Sequence, residues 1–369
     1  MRAAPHSDPA PNAPRTNLLA LDVDAMARLA HDLGWPRYRA MQVLRWLYRK
    51  RARSVEEMTD LPRAERHRLD ALAEIGRSEP GEILTAADGT KKFLIPLADG
   101  LRIESVLIPD DDRLTLCLST QVGCTLDCGF CLTARMGLMR NLKPHEIVEQ
   151  VLTVQDHLPA SSPLKNLVFM GMGEPLANLE AVSEAIRRLT NEDWGLGVPA
   201  RRITVSTAGL APRLAAIAPL GVNLAVSLNA TTNTQRDRLM PAVNRLYPLE
   251  TLLTACRAYP LPPRRTLTFE YVLLAGVNDS PEDARRLATL LRGMRCKINL
   301  IPFNEFADSG FQRPEDQTVL IFQSVLTKAG YGVFIRKSKG REILGACGQL
   351  GRLSTRAQPR GLTLSGTRC

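Results

Sequence analysis

Three closely spaced cysteines are the strongest chemical feature of this sequence. Cys124, Cys128 and Cys131 have the spacing C-x3-C-x2-C. Thiolates are the natural ligands of iron–sulfur clusters, and three of them leave one iron of a [4Fe–4S] cube open to a further ligand. A closed zinc site needs a fourth protein ligand, and neither His145 nor Cys117 stands at a usual zinc spacing. The spacing therefore favours an iron–sulfur cluster over zinc or plain buried cysteines.

A glycine-rich segment and several polar strand ends could complete a ligand site. Gly171-Met172-Gly173-Glu174-Pro175 follows a predicted strand, where the glycines allow close backbone approach and Glu174 offers an acceptor for an ammonium group. Small polar groups mark the ends of further predicted strands: Ser206, then Ser227 with Leu228 and Asn229, then Asn304. Each one alone is explained by a cap or a turn. Together they could bind the hydroxyl and carboxylate groups of one ligand.

Two further cysteines and a glutamate lie outside these motifs. Cys117 precedes the cysteine loop, and Cys347 stands far downstream in Gly345-Ala346-Cys347-Gly348. Taken singly, these residues are explained as a buried strand cysteine and a loop cysteine, and Glu104 as a strand glutamate or half of an ion pair. We assign the remaining cysteines to packing or to the C-terminal tail: Cys256, Cys296 and Cys369.

The motifs together resemble those of a known enzyme superfamily. The C-x3-C-x2-C loop and the GMGEP segment are similar to the hallmark motifs of radical S-adenosylmethionine (SAM) enzymes. The resemblance implies a [4Fe–4S] cluster held by Cys124, Cys128 and Cys131, with SAM bound to the open iron and cleaved to a 5′-deoxyadenosyl radical. The SAM contacts that it implies are Gly173, Glu174, Ser206, Ser227, Leu228, Asn229 and Asn304, with asparagine at 229 where histidine is expected in many relatives.

Adding Glu104, Cys117 and Cys347 narrows the resemblance to the RlmN family of RNA adenine-C2 methyltransferases, over nearly the whole chain as far as Leu350. The resemblance implies that Cys347 carries a methyl group from one SAM molecule, while a second SAM molecule supplies the radical. Glu104 is then the proton acceptor, and Cys117 resolves the protein–RNA adduct through a transient disulfide with Cys347. An external reductant must supply one electron to the cluster and restore both thiols.

The resemblance also implies RNA substrates. The family methylates C2 of an adenosine in the peptidyl-transferase region of 23S rRNA, and of the adenosine at position 37, just 3′ of the anticodon, in some tRNAs. One alternative is an adenine-C8 rRNA methyltransferase of the Cfr type, which uses the same cysteines. Two others are a radical SAM enzyme of another class, such as a glycyl-radical activase, and a non-enzymatic iron–sulfur RNA-binding module.

The charge balance agrees with a polyanionic partner. There are 48 Lys and Arg against 38 Asp and Glu, which gives a net charge of +10. Such a balance favours RNA or DNA, although a basic bias alone explains it equally well. No apolar run is long enough to span a membrane, and the N-terminus lacks the apolar core of a secretory signal. We therefore expect a cytoplasmic protein without structural disulfides, acting as a monomer.

The order of predicted elements places these residues in an α/β fold. We expect a disordered tail over 1–17, a basic helical RNA-binding accessory domain over 18–78, a β-meander over 80–118, a radical SAM core over 119–345, and a loop with Cys347 and a flexible tail over 346–369. Periodicity and turn signals predict helices at Leu19–Leu33, Pro36–Lys50, Leu179–Leu189, Leu249–Ala258 and Pro281–Met294. They predict meander strands at Lys91–Leu97, Leu101–Ile108 and Arg113–Leu118, and core strands at Asn166–Met170, Arg202–Ser206, Asn223–Ser227, Thr266–Leu273, Lys297–Ile301 and Gly332–Arg336. Repeated βα units predict a parallel sheet, here a partial (β/α)6 barrel with its site at the carboxyl ends of the strands.

Overall fold

The described part of the chain, in a computed structural model, comprises residues 15–111, 113–159 and 162–351. Most of the predicted N-terminal tail (residues 1–14), the predicted C-terminal tail beyond 351 and Cys369 lie outside the described residues. Within the described ranges, no helix is long and apolar enough to cross a membrane.

A small unit of short helices forms the N-terminal part of the described chain. Its elements are β1 (Thr16–Asn17), α1 (Val23–Asp32), α2 (Tyr38–Tyr48), α3 (Arg63–Leu72) and β2 (Ala73–Glu74), with 3-10 turns at Leu18–Ala20 and Val55–Glu57. The helix predicted from residue 19 is interrupted, because Asn17 caps the first turn and the Asp22 carboxylate accepts the Ala25 N–H (2.7 Å) to begin α1. Thr16 and Asn17 pair in parallel with β2, so order begins before the predicted boundary at residue 18.

Arginine side chains join this unit to the rest of the protein. Arg188 is buried and donates to the Leu19 carbonyl (2.8 Å) and the Tyr48 hydroxyl (3.1 Å). Arg45 pairs with Asp193 (2.6 Å). Three more arginines of the N-terminal region converge on one carboxylate, that of Asp156: Arg51, Arg53 and Arg77. One hydrophobic core runs through both parts, so the unit is packed onto the barrel rather than tethered to it.

A ten-stranded sheet is the centre of the remaining described chain. Its strand order is β14-β13-β12-β11-β10-β9-β6-β5-β4-β3. The meander supplies β3 (Glu82–Thr85), β4 (Lys91–Pro96), β5 (Arg102–Asp110) and β6 (Arg113–Cys117), which are antiparallel neighbours. A hairpin of β7 (Gln121–Gly123) and β8 (Leu138–Asn141) encloses the cysteine loop and the short helix α4 (Leu132–Arg135).

The remaining strands alternate with helices and lie parallel. They are β9 (Leu164–Phe169), β10 (Ile203–Thr207), β11 (Asn223–Ser227), β12 (Leu267–Leu273), β13 (Cys296–Pro302) and β14 (Gly332–Ile335). The helices are α5 (Pro144–Asp156), α6 (Leu179–Thr190), α7 (Asn233–Leu239), α8 (Pro241–Leu246), α9 (Leu249–Ala258), α10 (Pro281–Leu290) and α11 (Asp316–Lys328), with 3-10 turns at Pro175–Asn178, Ala200–Arg202, Ala211–Leu220 and Arg341–Ile343.

Strand β6 differs from its predicted place. The sequence assigns Arg113–Leu118 to the meander, but β6 also pairs in parallel with β9, with Cys117 opposite Val168. It is therefore the first strand of the barrel as well as the last of the meander. The two parts form one continuous sheet, and the chain passes from β6 directly into the hairpin that holds the cysteine loop.

Candidate active site

A cavity at the carboxyl ends of the parallel strands collects most of the predicted site residues. Its lining includes Cys124, Cys128, Cys131, Gly173, Glu174, Ser206, Ser227, Asn229, Asn304 and Cys347. These residues are far apart in the chain, and they meet because parallel strands end at the same edge of a sheet. Three predicted site residues are not part of this lining: Leu228, Cys117 and Glu104.

Backbone hydrogen bonds fix the shape of the cysteine loop. The N–H of Cys124 donates to the Gly137 carbonyl (3.1 Å), and that of Cys131 donates to the Cys128 carbonyl (3.1 Å). Burial raises the pKa of Cys124 to about 12 and raises the pKa values of Cys128 and Cys131 as well. The thiolate forms thus need a positive partner, which bound metal would provide.

A buried arginine adds positive charge behind this loop. Arg236 of α7 is completely buried and donates to the Ala208 carbonyl (2.7 Å). Burial lowers the pKa of Arg236 to about 10, although the nearby Cys128 acts in the opposite direction. The guanidinium would therefore offset part of the negative charge that three thiolates bring into the cavity.

The GMGEP segment is built against the start of the cysteine hairpin. Gly173 has φ +98°, and a Cβ there would lie 2.5 Å from the Cβ of Gln121, so a larger residue does not fit. A Cβ on Gly171 would lie 2.7 Å from the Leu118 backbone. The Glu174 carboxylate accepts the N–H groups of Leu176 (2.9 Å) and Ala208 (2.7 Å). Glu174 therefore faces the cavity and also joins the loop after β9 to the loop after β10.

The predicted site residues at the ends of β10 and β11 differ in whether they face the cavity. Ser206 and Ser227 line the cavity. Asn229 has φ +57°, a conformation that asparagine tolerates, and its side-chain oxygen accepts the Val272 N–H (2.9 Å). Leu228 is fully buried, and its N–H donates to the Glu270 carbonyl (3.0 Å). Its side chain points into the core and does not line the cavity, because successive side chains along an extended segment point in opposite directions.

The C-terminal loop carries Cys347 into the cavity. The Asn304 side-chain amide donates to the Cys347 carbonyl (3.1 Å), and the Leu132 N–H donates to the Gly348 carbonyl (2.7 Å). The Thr133 hydroxyl donates to the Leu350 carbonyl (2.6 Å). Cys347 is thus held beside the cysteine loop by contacts with Asn304 and with helix α4, which directly follows the loop.

Cys117 is close enough to Cys347 for their charges to interact. Burial raises the pKa of Cys117 to about 12; negative charge on Cys347 would raise it further, while the Arg336 guanidinium lowers it. The pKa of Arg336 is raised, chiefly by the proximity of Cys347. Both cysteines are free thiols. The structure therefore brings together the two thiols that the sequence proposes as partners, with a cation beside them.

Glu104 contacts the same loop from outside the cavity. Its carboxylate accepts the Gly351 N–H (3.1 Å) and pairs with Lys92 (3.4 Å), and both side chains are almost fully buried. Lys92 also donates to the Leu344 carbonyl (3.3 Å). The Lys92–Glu104 pair therefore holds the loop at a residue on either side of Cys347.

Comparisons with known proteins identify the family. Profiles described as "Radical SAM superfamily" and "Ribosomal RNA large subunit methyltransferase N-terminal domain" match residues 118–288 and 16–75. The chain is 50% identical over 337 residues to "Dual-specificity RNA methyltransferase RlmN" of Syntrophus aciditrophicus, covering 91% of this chain and 96% of that protein. The chain belongs to the RlmN family.

Further matches support this RlmN membership. The relative of the same name from Desulfosudis oleivorans is 51% identical over 317 residues, which cover 85% of this chain and 84% of that protein. A crystal structure of a radical SAM methyltransferase from Sphaerobacter thermophilus is 42% identical and superposes with a TM-score of 0.86, over 91% of this chain and 99% of that one. The predicted partial α/β barrel is thus confirmed, and the protein is a radical SAM methyltransferase that uses a [4Fe–4S] cluster and SAM.

The cavity residues of this RlmN protein fit both the [4Fe–4S] cluster and SAM. Among the described residues, no three His, Cys, Asp or Glu side chains converge on one metal ion, whereas a cubane cluster binds each of its thiolates to a different iron. Two buried oxygens of the cavity have no hydrogen-bond partner in the described structure: Asn304 Oδ1 and Glu270 Oε2. The Glu270 oxygen lies 4.0 Å from Arg336 Nη1, which is an ion pair. Buried polar atoms normally have partners, so the Asn304 oxygen indicates a polar ligand in the cavity.

Sequence reasoning missed Glu270, Arg336 and Lys92. Glu270 is a buried carboxylate in an otherwise apolar strand, which is a signal that could have found it. Arg336 and Lys92 carry no such signal, because their roles arise from contacts with residues distant in the chain.

Proposed function

We propose that this RlmN-family protein is a dual-specificity RNA methyltransferase that methylates C2 of adenosine. Its proposed substrates are the peptidyl-transferase region of 23S rRNA and position 37 of some tRNAs. The observation that carries the proposal is the convergence of the cysteine loop, the GMGEP segment and Cys347 on one cavity, with Cys117 close to Cys347. The RlmN name of the relatives favours C2 over the Cfr-type alternative at C8.

The cavity residues divide into cluster ligands and SAM contacts. Cys124, Cys128 and Cys131 hold the cluster. Six other residues of the lining contact SAM: Gly173, Glu174, Ser206, Ser227, Asn229 and Asn304. Leu228 can contribute through its backbone. When both are bound, the reduced cluster and SAM would supply a 5′-deoxyadenosyl radical. Two SAM molecules are used in each turnover, one for the methyl group and one for the radical.

Cys347 is the proposed methyl carrier. Its thiolate attacks the methyl carbon of one SAM molecule, S-adenosylhomocysteine leaves, and the residue becomes S-methylcysteine. That methyl group loses a hydrogen atom to the radical, and its carbon adds to C2 of the adenine. Glu104 accepts the C2 proton; the loop must open for it to do so, since its carboxylate binds Gly351 and Lys92.

Cys117 releases the product. Its thiolate attacks the sulfur of Cys347 and the bond from that sulfur to the methylene carbon breaks. The carbon takes up a proton and becomes the C2 methyl group, a disulfide remains between the two cysteines, and the unpaired electron of the adduct would pass to the bound cluster. A thiol reductant must then restore them, and a one-electron donor must reduce the cluster. We place this activity in the cytoplasm, where ribosomal and transfer RNA are available, and propose that one chain suffices because the described chain contains every residue invoked.

Anaerobic reconstitution with SAM, a reductant and RNA tests the proposal. Mass spectrometry of the nucleosides should show 2-methyladenosine. The product 8-methyladenosine would instead support the Cfr-type activity, and absence of any SAM cleavage would leave an RNA-binding iron–sulfur protein. Cys347→Ala should keep the cluster but form neither methylcysteine nor product, whereas Cys117→Ala should accumulate a covalent protein–RNA adduct.

A further inference from the structure

Cys347 lines a second, smaller cavity as well as the one described above. This second cavity is lined by Ile108, Ile301, Asn304, Arg336, Lys337, Ser338, Lys339, Gly345, Ala346 and Cys347. Ile301, Asn304 and Cys347 belong to both cavities, so Cys347 stands where the two meet. A residue that carries a group from cofactor to substrate needs access to both, and the second cavity has no residue of the cysteine loop in its lining.

The two cavities differ in charge. Glu174 and Glu270 line the cofactor cavity, and both are buried carboxyl groups. The second cavity is lined by three basic side chains, those of Arg336, Lys337 and Lys339, and by no acidic one. Arg336 also pairs with Glu270 (4.0 Å), so the positive charge of the second cavity comes mainly from the two lysines. The second cavity is therefore the more favourable of the two for a polyanion.

The basic residues lie on a segment that is held firmly in place. We call residues 336–341 (Arg-Lys-Ser-Lys-Gly-Arg) the basic rim. The Ser338 hydroxyl accepts from Arg313 (3.3 Å), and the Gly340 N–H donates to Asp88 (2.8 Å). Lys339 pairs with Asp110 (3.7 Å) and donates to the Pro109 carbonyl. The meander thus fixes the rim, which reduces the entropy lost when a ligand binds there.

Two cations of the basic rim remain available to a partner. Lys337 and Arg341 are exposed, and neither has an ion pair within the described ranges. The acid next to them, Glu342, is engaged by the Ala87 N–H.

We propose that the basic rim binds the backbone phosphates next to the target adenosine and so places that nucleotide against Cys347. The inference rests on the proposed RNA methyltransferase activity and names the surface that receives the RNA strand. Enzymes that modify a base bind it unstacked or in a single-stranded region, where the flanking phosphates are accessible. Arg341 can bind a phosphate in bidentate fashion, while Lys337 acts as a point charge.

A charge-matched pair of double variants tests the rim. Lys337→Ala/Arg341→Ala removes its two unpaired cations. Arg292→Ala/Lys328→Ala removes two exposed cations, one after α10 and one at the end of α11. Both precede the amino ends of strands β13 and β14, whereas the rim follows the carboxyl end of β14. Binding to an RNA stem-loop with the anticodon-arm sequence is measured by fluorescence anisotropy across a salt series.

The rim variant should bind roughly tenfold more weakly near physiological salt, and the slope of log affinity against log salt should fall by about 1.4, since each single-strand phosphate contact contributes about 0.7. The control variant should match wild type. Equal affinities and slopes for the two variants would overturn the proposal.

A second measurement separates this inference from the proposed function. Methylation of Cys347 by SAM without RNA, followed by intact-protein mass, should be the same in wild type and the rim variant. A loss of that methylation in the rim variant would mean that the rim supports the cofactor site instead, and would also overturn the proposal. If wild type forms no methyladenosine, the proposed function fails, yet the salt slopes still decide whether the rim binds RNA.

Discussion

Replacing Lys92 with methionine should loosen the C-terminal loop that carries Cys347. Lys92 and Glu104 have side chains that are 4% and 7% exposed, with 3.4 Å between Nζ and Oε2. Lys92 binds the Leu344 carbonyl and Glu104 binds the Gly351 N–H, so the pair spans the loop. Methionine has a similar length without the charge, and therefore tests the electrostatic part of this anchor.

The expected effect of Lys92→Met on loop opening follows from the burial of the ion pair. Removing one partner of a buried ion pair costs about 3–5 kcal/mol, because the other charge stays out of water. Opening of the loop relieves that cost by hydrating Glu104. With about 1.4 kcal/mol for each factor of ten, the open fraction of the loop should rise by roughly 100-fold or more.

A second substitution should reverse most of this effect. In Lys92→Met/Glu104→Gln no charge is buried, and the glutamine oxygen still accepts the Gly351 N–H. Only the bond to the Leu344 carbonyl is lost, about 1 kcal/mol. Arg285→Met is the matched control, since it removes a cation from an exposed pair and should leave the loop unchanged.

Amide hydrogen exchange over residues 344–351 measures the opening. Exchange should be fast in Lys92→Met, and close to wild type in both the double variant and the control. Equal exchange in the single and double variants would refute the argument from buried charge. The double variant also tests Glu104 itself: normal methylation of RNA by a protein with glutamine at 104 would leave Glu104 as an anchor and not a proton acceptor.

Three further predictions concern the cavity and its supports. Gly173→Ala should abolish SAM binding in equilibrium dialysis because of the contact with Gln121, whereas Gly197→Ala, also at positive φ but in open space, should retain it. Arg336→Gln should raise the pKa of Cys117 further and slow its alkylation by iodoacetamide across the alkaline pH range; an unchanged pH profile would exclude that role. Burial lowers the pKa of His145 to about 4 from 6.5, so the unfolded chain binds more protons between these values and stability should fall as pH drops through that window; His145→Gln should flatten this part of the denaturation profile.

Local patterns predicted the regular elements well. The strand Asn223–Ser227 and the helix Leu249–Ala258 have the predicted bounds, because each is a clear apolar pattern closed by turn or helix-capping signals. The place of β6 could not be read in the same way, since its parallel partner β9 is distant in the chain. Periodicity says that a segment is a strand, but it does not say which strands lie beside it.

The site shows the same division between local and distant information. Motif spacing was enough to predict that Gly173, Ser206 and Asn304 face one cavity. It could not show that Glu104 meets Gly351, because that contact joins residues 247 positions apart. Nor could it show that Arg45 and Arg188, which add to a basic composition, contact Asp193 and the Leu19 carbonyl and so join the N-terminal unit to the barrel.

Burial gives Cys117 a further property that bears on the order of events. With a pKa of about 12, Cys117 is almost entirely protonated at pH 7, whereas a few per cent of a free cysteine is thiolate, so its attack on sulfur is slower. Under the proposed mechanism, Cys117 therefore reacts slowly with Cys347 while the loop is closed. The proposed resolving step would become faster when a change at the loop, such as the formation of the RNA adduct, exposes Cys117 or draws Arg336 closer to it.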